Sequence, residues 1–369
     1  MRSDQTYRIM ISGGGTGGHI YPAISIAQAL QAELADPDIL FVGAKGKMEM
    51  KKVPEAGYKI VGLWISGLQR KLSLQLLLFP FKVVFSLINA LKLIRTFKPD
   101  VVVGVGGYAS GPLLRAATIK KIPTLIQEQN SYAGLTNKLL AKKVKRICVA
   151  HEGMEKYFPA EKLVVTGNPV RDGLVLDPAK REEAFQFFDL DPSKRTILMT
   201  GGSLGARTLN EAMLASIERF VENDIQVLWQ TGGFYYEEML RRIEGIKLNG
   251  VKMFDFLRKM DKAYAVADIV VARAGALSIA ELELTAKATI LIPSPNVAED
   301  HQTKNATALV ERQAAVMIKD SNAVERLAEE VISLLENTGR IKELETRIAA
   351  LAQPEAARKI ANEVIKLAS

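Results

Sequence analysis

The chain has 369 residues, 48% of them hydrophobic and 24% charged, with a formal net charge of +8. That composition excludes a disordered chain, and the length exceeds one ordinary core, so two domains are expected. A single cysteine, Cys148, excludes an internal disulfide and suits a reducing, cytosolic setting. The basic excess points to an anionic ligand or surface. With no zinc-finger spacing and no RNA-binding aromatic motif, nucleic acid is not expected as a partner.

In chain order, the N-terminus lacks an apolar stretch long enough for a signal peptide. The first strand is "YRIMIS", followed by "GGGTGGHIYPA" from Gly13 to Ala23. This run fits G-x-G-x-x-G through Gly13, Gly15 and Gly18, but a dinucleotide fold wants an acidic residue ending the second strand. Here the second strand is "DILFV", with Asp36 and Asp38 ahead of its end and "GAKGK" after it. His19, Tyr21 and Pro22 also make an unusual opening for a dinucleotide helix, so a nicotinamide or flavin cofactor is not expected.

Further strands are read at "KIVGL", "DVVVG", "PTLIQ", "RICVA" and "KLVVT", then at "TILMT", "IQVLW", "VKMF", "DIVVA", "TILIP" and "AAVMI". Continuous apolar, β-branched runs separated by helix-length segments read as parallel strands covered on both faces. Seven runs followed by six predict two doubly wound α/β domains. Between the third and fourth runs lies an apolar segment, Leu68 to Lys98, broken by Pro80 and Lys82. Those two residues speak against a membrane span. Leu77, Phe81, Val84 and Ile88 share one helical face, with Arg70, Lys71, Lys82, Lys92 and Arg95 around them. Such a helix suits an anionic bilayer surface, although packing against the core explains part of the same pattern.

The break between domains is placed at "TGNPVRDG", Thr166 to Gly173. The first domain is drawn as 1–170 together with a returning helix at 354–369, opened by Pro354, and the second as 171–353. Glycine follows many strands, as in "GVGGYASGP", "TGGSLGAR", "TGG" and "ARAGALS". At carboxyl strand ends such loops bring backbone close to a ligand, and the next helix offers free N–H groups to phosphate. "DLD" at Asp189–Asp191 reads as a solvated turn, and three scattered histidines give no metal site.

Seven ordered motifs, "GGGTGGHIYPA", "GVGGYASGP", "QEQNSYAGLTNK", "GNPVR", "GGSLGAR", "ARAGALSIAEL" and "EDHQTKNA", resemble the bacterial N-acetylglucosaminyltransferase of peptidoglycan synthesis, the MurG family. The resemblance covers nearly the whole chain. It implies a GT-B fold, two Rossmann-like domains facing across a deep cleft, and inverting transfer of N-acetylglucosamine from UDP-N-acetylglucosamine to lipid I without a metal or other cofactor. It also implies a peripheral enzyme on the cytoplasmic face of the inner membrane, with other cell-wall synthesis proteins as partners.

On that resemblance, the donor contacts are Ser203 at the diphosphate, Arg171 at the nucleotide, Leu257 by the uracil with Ala276 and Leu277 nearby, Ser278 near the phosphates, and Glu281 on the ribose. Gln302 and Thr303 face ribose, phosphate and sugar, and Asn130 reaches the sugar. Thr303 stands where family members often have a second glutamine, which puts one sugar contact in doubt. Thr16 and Gly17 are also assigned to the donor. Gly14, Gly15 and Gly18, again with Thr16, suit the acceptor diphosphate, with Tyr108 and Ser110 beside them. His19 is the candidate general base for the acceptor 4-hydroxyl. Its rival roles are orienting the loop or binding acceptor phosphate. Glu128 is the next candidate base, and a structural strand-end carboxylate is the other reading of it. Competing functions are a GT-B transferase acting on another lipid such as diacylglycerol, a sugar-nucleotide epimerase, and a nucleotide-binding scaffold without turnover.

Overall fold

The computed structural model describes residues 6–67, 78–170, 174, 177–202, 204–246, 248–297 and 300–369. All thirteen apolar runs form strands. β1 to β7 are Arg8–Ser12, Asp38–Ala44, Lys59–Leu63, Val101–Gly104, Thr124–Glu128, Arg146–Val149 and Leu163–Val165. β8 to β13 are Thr196–Thr200, Gln226–Gln230, Val251–Phe254, Ile269–Ala272, Ala288–Leu291 and Val316–Met317. They make a seven-stranded sheet in the order β3-β2-β1-β4-β5-β6-β7 and a six-stranded sheet in the order β10-β9-β8-β11-β12-β13. Every pairing is parallel.

The alternation along β1 and β4 explains the continuous apolar spelling. Ile9, Ile11, Val101 and Val103 join a core with helices Gly17–Glu33 and Ala356–Ala368. Met10 and Val102 point to the other face, toward helices Phe79–Phe97, Ser110–Ile119 and Leu135–Leu140. Each fully buried aliphatic side chain contributes about 1.5–3 kcal/mol relative to exposure, which favours apolar residues on both faces. Pro80 starts the helix Phe79–Phe97 rather than breaking it. It sits in the first turn, where its missing N–H has no helical acceptor to lose.

Backbone contacts divide the chain into Met1–Arg171 with Pro354–Ser369, and Asp172–Gln353. The returning helix is Ala356–Ala368, and Glu355, not Pro354, caps it in the left-handed region at φ 59°. Its Ile360, Ala361 and Val364 are buried among Ile9, Ile11 and Leu30. Cys148, on β6, is buried, and burial pushes its thiol up to about 12, so it stays protonated and inert.

In both sheets the strand order reverses at one place, between β1 and β4 and between β8 and β11. Ligands bind open α/β sheets outside the carboxyl ends of the strands at such points. The loops that end there are Gly13–Thr16 and 105–109 in the first sheet, and 201–206 and 273–275 in the second.

Candidate active site

The first glycine loop runs directly into helix Gly17–Glu33, so helix starts at Gly17 and the Gly17 and Gly18 N–H groups lie in its open first turn. Pro22 inside that helix leaves the Gly18 carbonyl without its i+4 donor. Thr16 Oγ1 lies 3.2 Å from His19 Nδ1, and the His19 N–H donates to the Thr16 carbonyl at 3.1 Å. The imidazole rests against Gly106 and Gly107. Gly107 has φ 78°, and a Cβ there would fall 2.3 Å from the Gly14 carbonyl oxygen, so only glycine lets the two loops meet.

Under this loop sits Glu49, which sequence spacing does not mark. It is fully buried, its Oε2 accepting from the Gly15 N–H at 3.1 Å and its Oε1 from the Ala44 N–H at 3.0 Å. The Gly15 N–H is thereby engaged by a side chain of the same unit. Tyr108 packs its ring against Gly15, and burial, aided by the Glu49 carboxylate, pushes its phenol up. Ser110 is buried and donates to the Gly107 carbonyl at 2.9 Å, so its hydroxyl shapes the turn.

Glu128 ends β5 and is almost wholly buried. Oε1 accepts from the Asn130 N–H at 3.1 Å and from Asn130 Nδ2 at 3.3 Å; Oε2 accepts from the Gly134 N–H at 2.9 Å and from Asn137 Nδ2 at 2.8 Å. Four donors occupy the lone pairs of a carboxylate. Glu128 therefore holds the 129–137 loop, including Asn130, and has no lone pair left for a substrate proton. Behind it Gln127, Gln129 and Asn168 form a buried amide chain. Gln127 Nε2 donates to Asn168 Oδ1, Asn168 Nδ2 to the Gln129 carbonyl, and Gln129 Nε2 to Gln127 Oε1 and to the Val105 carbonyl. Val105 precedes the glycines on which His19 rests.

In the second unit, loops 201–206 and 231–233 lie back to back, and helix Arg207–Glu222 follows the first of them. Leu257 is buried, its N–H donating to Gln230 Oε1 at 2.8 Å. Gly275 turns the chain into helix Ala276–Thr285, which places Ala276, Leu277 and Ser278 in its half-exposed first turn. Glu281, one turn on, is mostly buried and accepts from the Tyr264 hydroxyl at 2.9 Å. Gln302 Oε1 accepts from the Ser294 N–H at 2.9 Å, which leaves its amide nitrogen to donate to a ligand. Thr303 Oγ1 donates to Asp300 Oδ1 at 2.7 Å. Arg171, Ser203 and Leu77 lie outside the described residues. Asp189 and Asp191 stand in the turn expected of them, paired with Lys252 and Ser193.

On helix Phe79–Phe97 the core takes Ser86, Ala90 and Ile94. The opposite side exposes Phe81 by 67%, Val84 by 57% and Ile88 by 57%, beside exposed Phe85 and Trp64. Lys82 Nζ lies 5.8 Å over the Trp64 ring. Among the described residues no helix is long and apolar enough to cross a membrane.

Residues 9–149 match the glycosyltransferase family 28 N-terminal domain and residues 196–364 the family 28 C-terminal domain. Over 367 residues the chain is 54% identical to the UDP-N-acetylglucosamine–N-acetylmuramyl-(pentapeptide) pyrophosphoryl-undecaprenol N-acetylglucosamine transferase of Cytophaga hutchinsonii, covering 100% of this chain and 98% of that protein. The chain belongs to the MurG family. A MurG-family protein of the same name from Parabacteroides distasonis is 53% identical and covers 98% of each chain. The crystal structure of Acinetobacter baumannii MurG, 28% identical, matches with a TM-score of 0.78 over 98% of this chain and 99% of that one. The two Rossmann-like sheets are accordingly those of the GT-B fold of MurG enzymes.

Proposed function

We propose that this chain transfers N-acetylglucosamine from UDP-N-acetylglucosamine to the 4-hydroxyl of the muramoyl sugar of lipid I, giving lipid II with inversion and without an active-site metal. The observation that carries the reading is near-full-length identity of about half the residues to transferases of that name. Glycine loops at the reversal points of both sheets suit two phosphate-bearing substrates.

In this reading the acceptor oxygen attacks the anomeric carbon as its bond to the UDP oxygen breaks. The acceptor proton passes to His19. With Nδ1–H donating to Thr16 Oγ1, the proton-accepting nitrogen is Nε2. The departing diphosphate gains its stabilisation from N–H groups at the starts of helices Arg207–Glu222 and Ala276–Thr285, with Ser278 in the latter's first turn, and Ser203 and Arg171 keep the roles the resemblance implies. Glu281, set by Tyr264, takes the ribose hydroxyls. Gln302, Thr303 and Asn130 take the sugar end of the donor. Gly14, Thr16 and Gly18 take the acceptor diphosphate, and Thr16 and Gly17 are also assigned to the donor.

The deciding experiment is transfer of labelled sugar from UDP-N-acetylglucosamine to a lipid I analogue, with lipid-free and diacylglycerol arms. Label is expected on the lipid I analogue alone. Transfer to diacylglycerol would install the alternative acceptor, and UDP-sugar binding without transfer would leave a scaffold.

The exposed face of Phe81, Val84 and Ile88 suits the surface of an anionic bilayer, with Lys82, Lys92 and Arg95 facing its headgroups. In this reading the enzyme works as a peripheral protein at the cytoplasmic face of the membrane that carries its acceptor. Phe81→Asp combined with Val84→Asp is expected to weaken binding to phosphatidylglycerol vesicles at least about tenfold. Both side chains are exposed, so the melting temperature should hold. Vesicle binding equal to that of the unaltered protein would remove this surface.

A further inference from the structure

We infer that Gln230 is the positioning residue of the donor site, a single buried carboxamide that sets the diphosphate loop and the uracil-flanking backbone against each other. The inference rests on the donor-site reading above. Gln230 is the last residue of β9, between β8 and β10 in the sheet. Its Nε2 donates to Thr200 Oγ1 at 3.1 Å and to the Gly202 carbonyl at 2.9 Å, and its Oε1 accepts from the Leu257 N–H at 2.8 Å. Thr200 Oγ1 also accepts from the Gly202 N–H at 3.1 Å. Gly202 is thus held on both its backbone polar groups, by a strand-end threonine and a strand-end glutamine.

Two segments far apart in sequence therefore meet on one side chain. Residue 202 belongs to the glycine loop ahead of helix Arg207–Glu222, and residue 257 lies beyond β10. The side chain is buried, so water cannot replace a missing partner. Of the ordinary residues only glutamine brings two donors and an acceptor to this reach. Glutamate at neutral pH lacks the donors, and leucine lacks every polar atom. Gln230 makes no claim on substrate itself; its effect is on where Gly202 and Leu257 stand.

The test is binding of UDP-N-acetylglucosamine, followed by calorimetry, to the full chain and to Gln230→Leu and Gln230→Glu. Gln230→Leu should weaken donor binding about tenfold or more, with the acceptor KM little changed. Gln230→Glu keeps the size and adds a sharper readout. Its neutral carboxyl can donate to the Gly202 carbonyl while accepting from Leu257, whereas its carboxylate faces that carbonyl as a second acceptor. Its donor affinity relative to the unaltered protein should be highest at low pH and fall as pH rises through a carboxyl pKa that burial raises. If Gln230→Leu does not fold, Gln230→Glu at two pH values supplies the comparison within one protein. Donor affinity in both variants equal to the unaltered protein's at every pH would overturn the inference. So would parallel losses for donor and acceptor with a lowered melting temperature. Failure of the unaltered protein to bind UDP-N-acetylglucosamine would instead bring down the donor-site reading.

Discussion

Replacing His19 by alanine is expected to lower kcat about 10²–10⁴-fold with donor and acceptor both saturating, the usual contribution of a general base. Donor affinity should stay about constant, because Leu257, Ala276, Leu277 and Glu281, assigned to the uracil and ribose, belong to the second unit. The ring is held by its neighbours: Thr16 meets Nδ1, and the glycine pair 106–107 lets the imidazole lie on backbone. The alanine variant removes the base and leaves the loop, since Glu49 still holds Gly15 and Ser110 still holds Gly107. Near-normal kcat with a raised acceptor KM would assign His19 to binding or orientation instead.

Gly205→Ala is expected to cost about 2–5 kcal/mol of stability in the second unit and to abolish measurable donor binding. Gly205 has φ 74°, a region where a side chain alone costs about 1–2 kcal/mol. Its added Cβ would also lie 2.0 Å from the Thr231 carbonyl oxygen and 2.9 Å from the carbonyl carbon. Backbone cannot swing away as a side-chain tip can, so loops 201–206 and 231–233 must part. Gly233→Ala is the control. A Cβ there meets nothing within 4 Å, and its φ is not in the left-handed region, so it should be close to neutral. Denaturant melts and donor calorimetry on the two variants check the contrast; equal behaviour would show that the loops are not locked together.

The strands were legible because burial on both faces of a parallel sheet leaves no polar phase to confuse the pattern. Ile9, Met10 and Ile11 alternate between two cores and still spell one apolar run. The glycine loops were legible because their constraint is local. Glu49 and Gln230 were not, because each acts on residues 27 or more positions away: Glu49 on Gly15, Gln230 on Leu257. No spacing rule links such pairs until the sheet brings them together. Glu128 was visible but ambiguous. Its strand-end position suits a base or a loop anchor equally, and only the donors from Asn130, Gly134 and Asn137 separate the two. An asparagine two residues after a strand-end carboxylate, with glycine soon after, was the signal available for the anchoring role.

The returning helix Ala356–Ala368 has a consequence for how the protein is made. Ile360, Ala361 and Val364 complete a core whose other walls, Ile9 and Leu30 among them, emerge first from the ribosome. Between them lies the whole of Asp172–Gln353. At about 5–20 residues per second, the first sheet waits about 10–40 seconds with one face only partly covered, by helix Gly17–Glu33, while the second, continuous in sequence, can close. The half of the protein synthesised first is therefore finished last, and nascent chains stopped before residue 356 should carry an exposed apolar face on their N-terminal half, a natural target for chaperones.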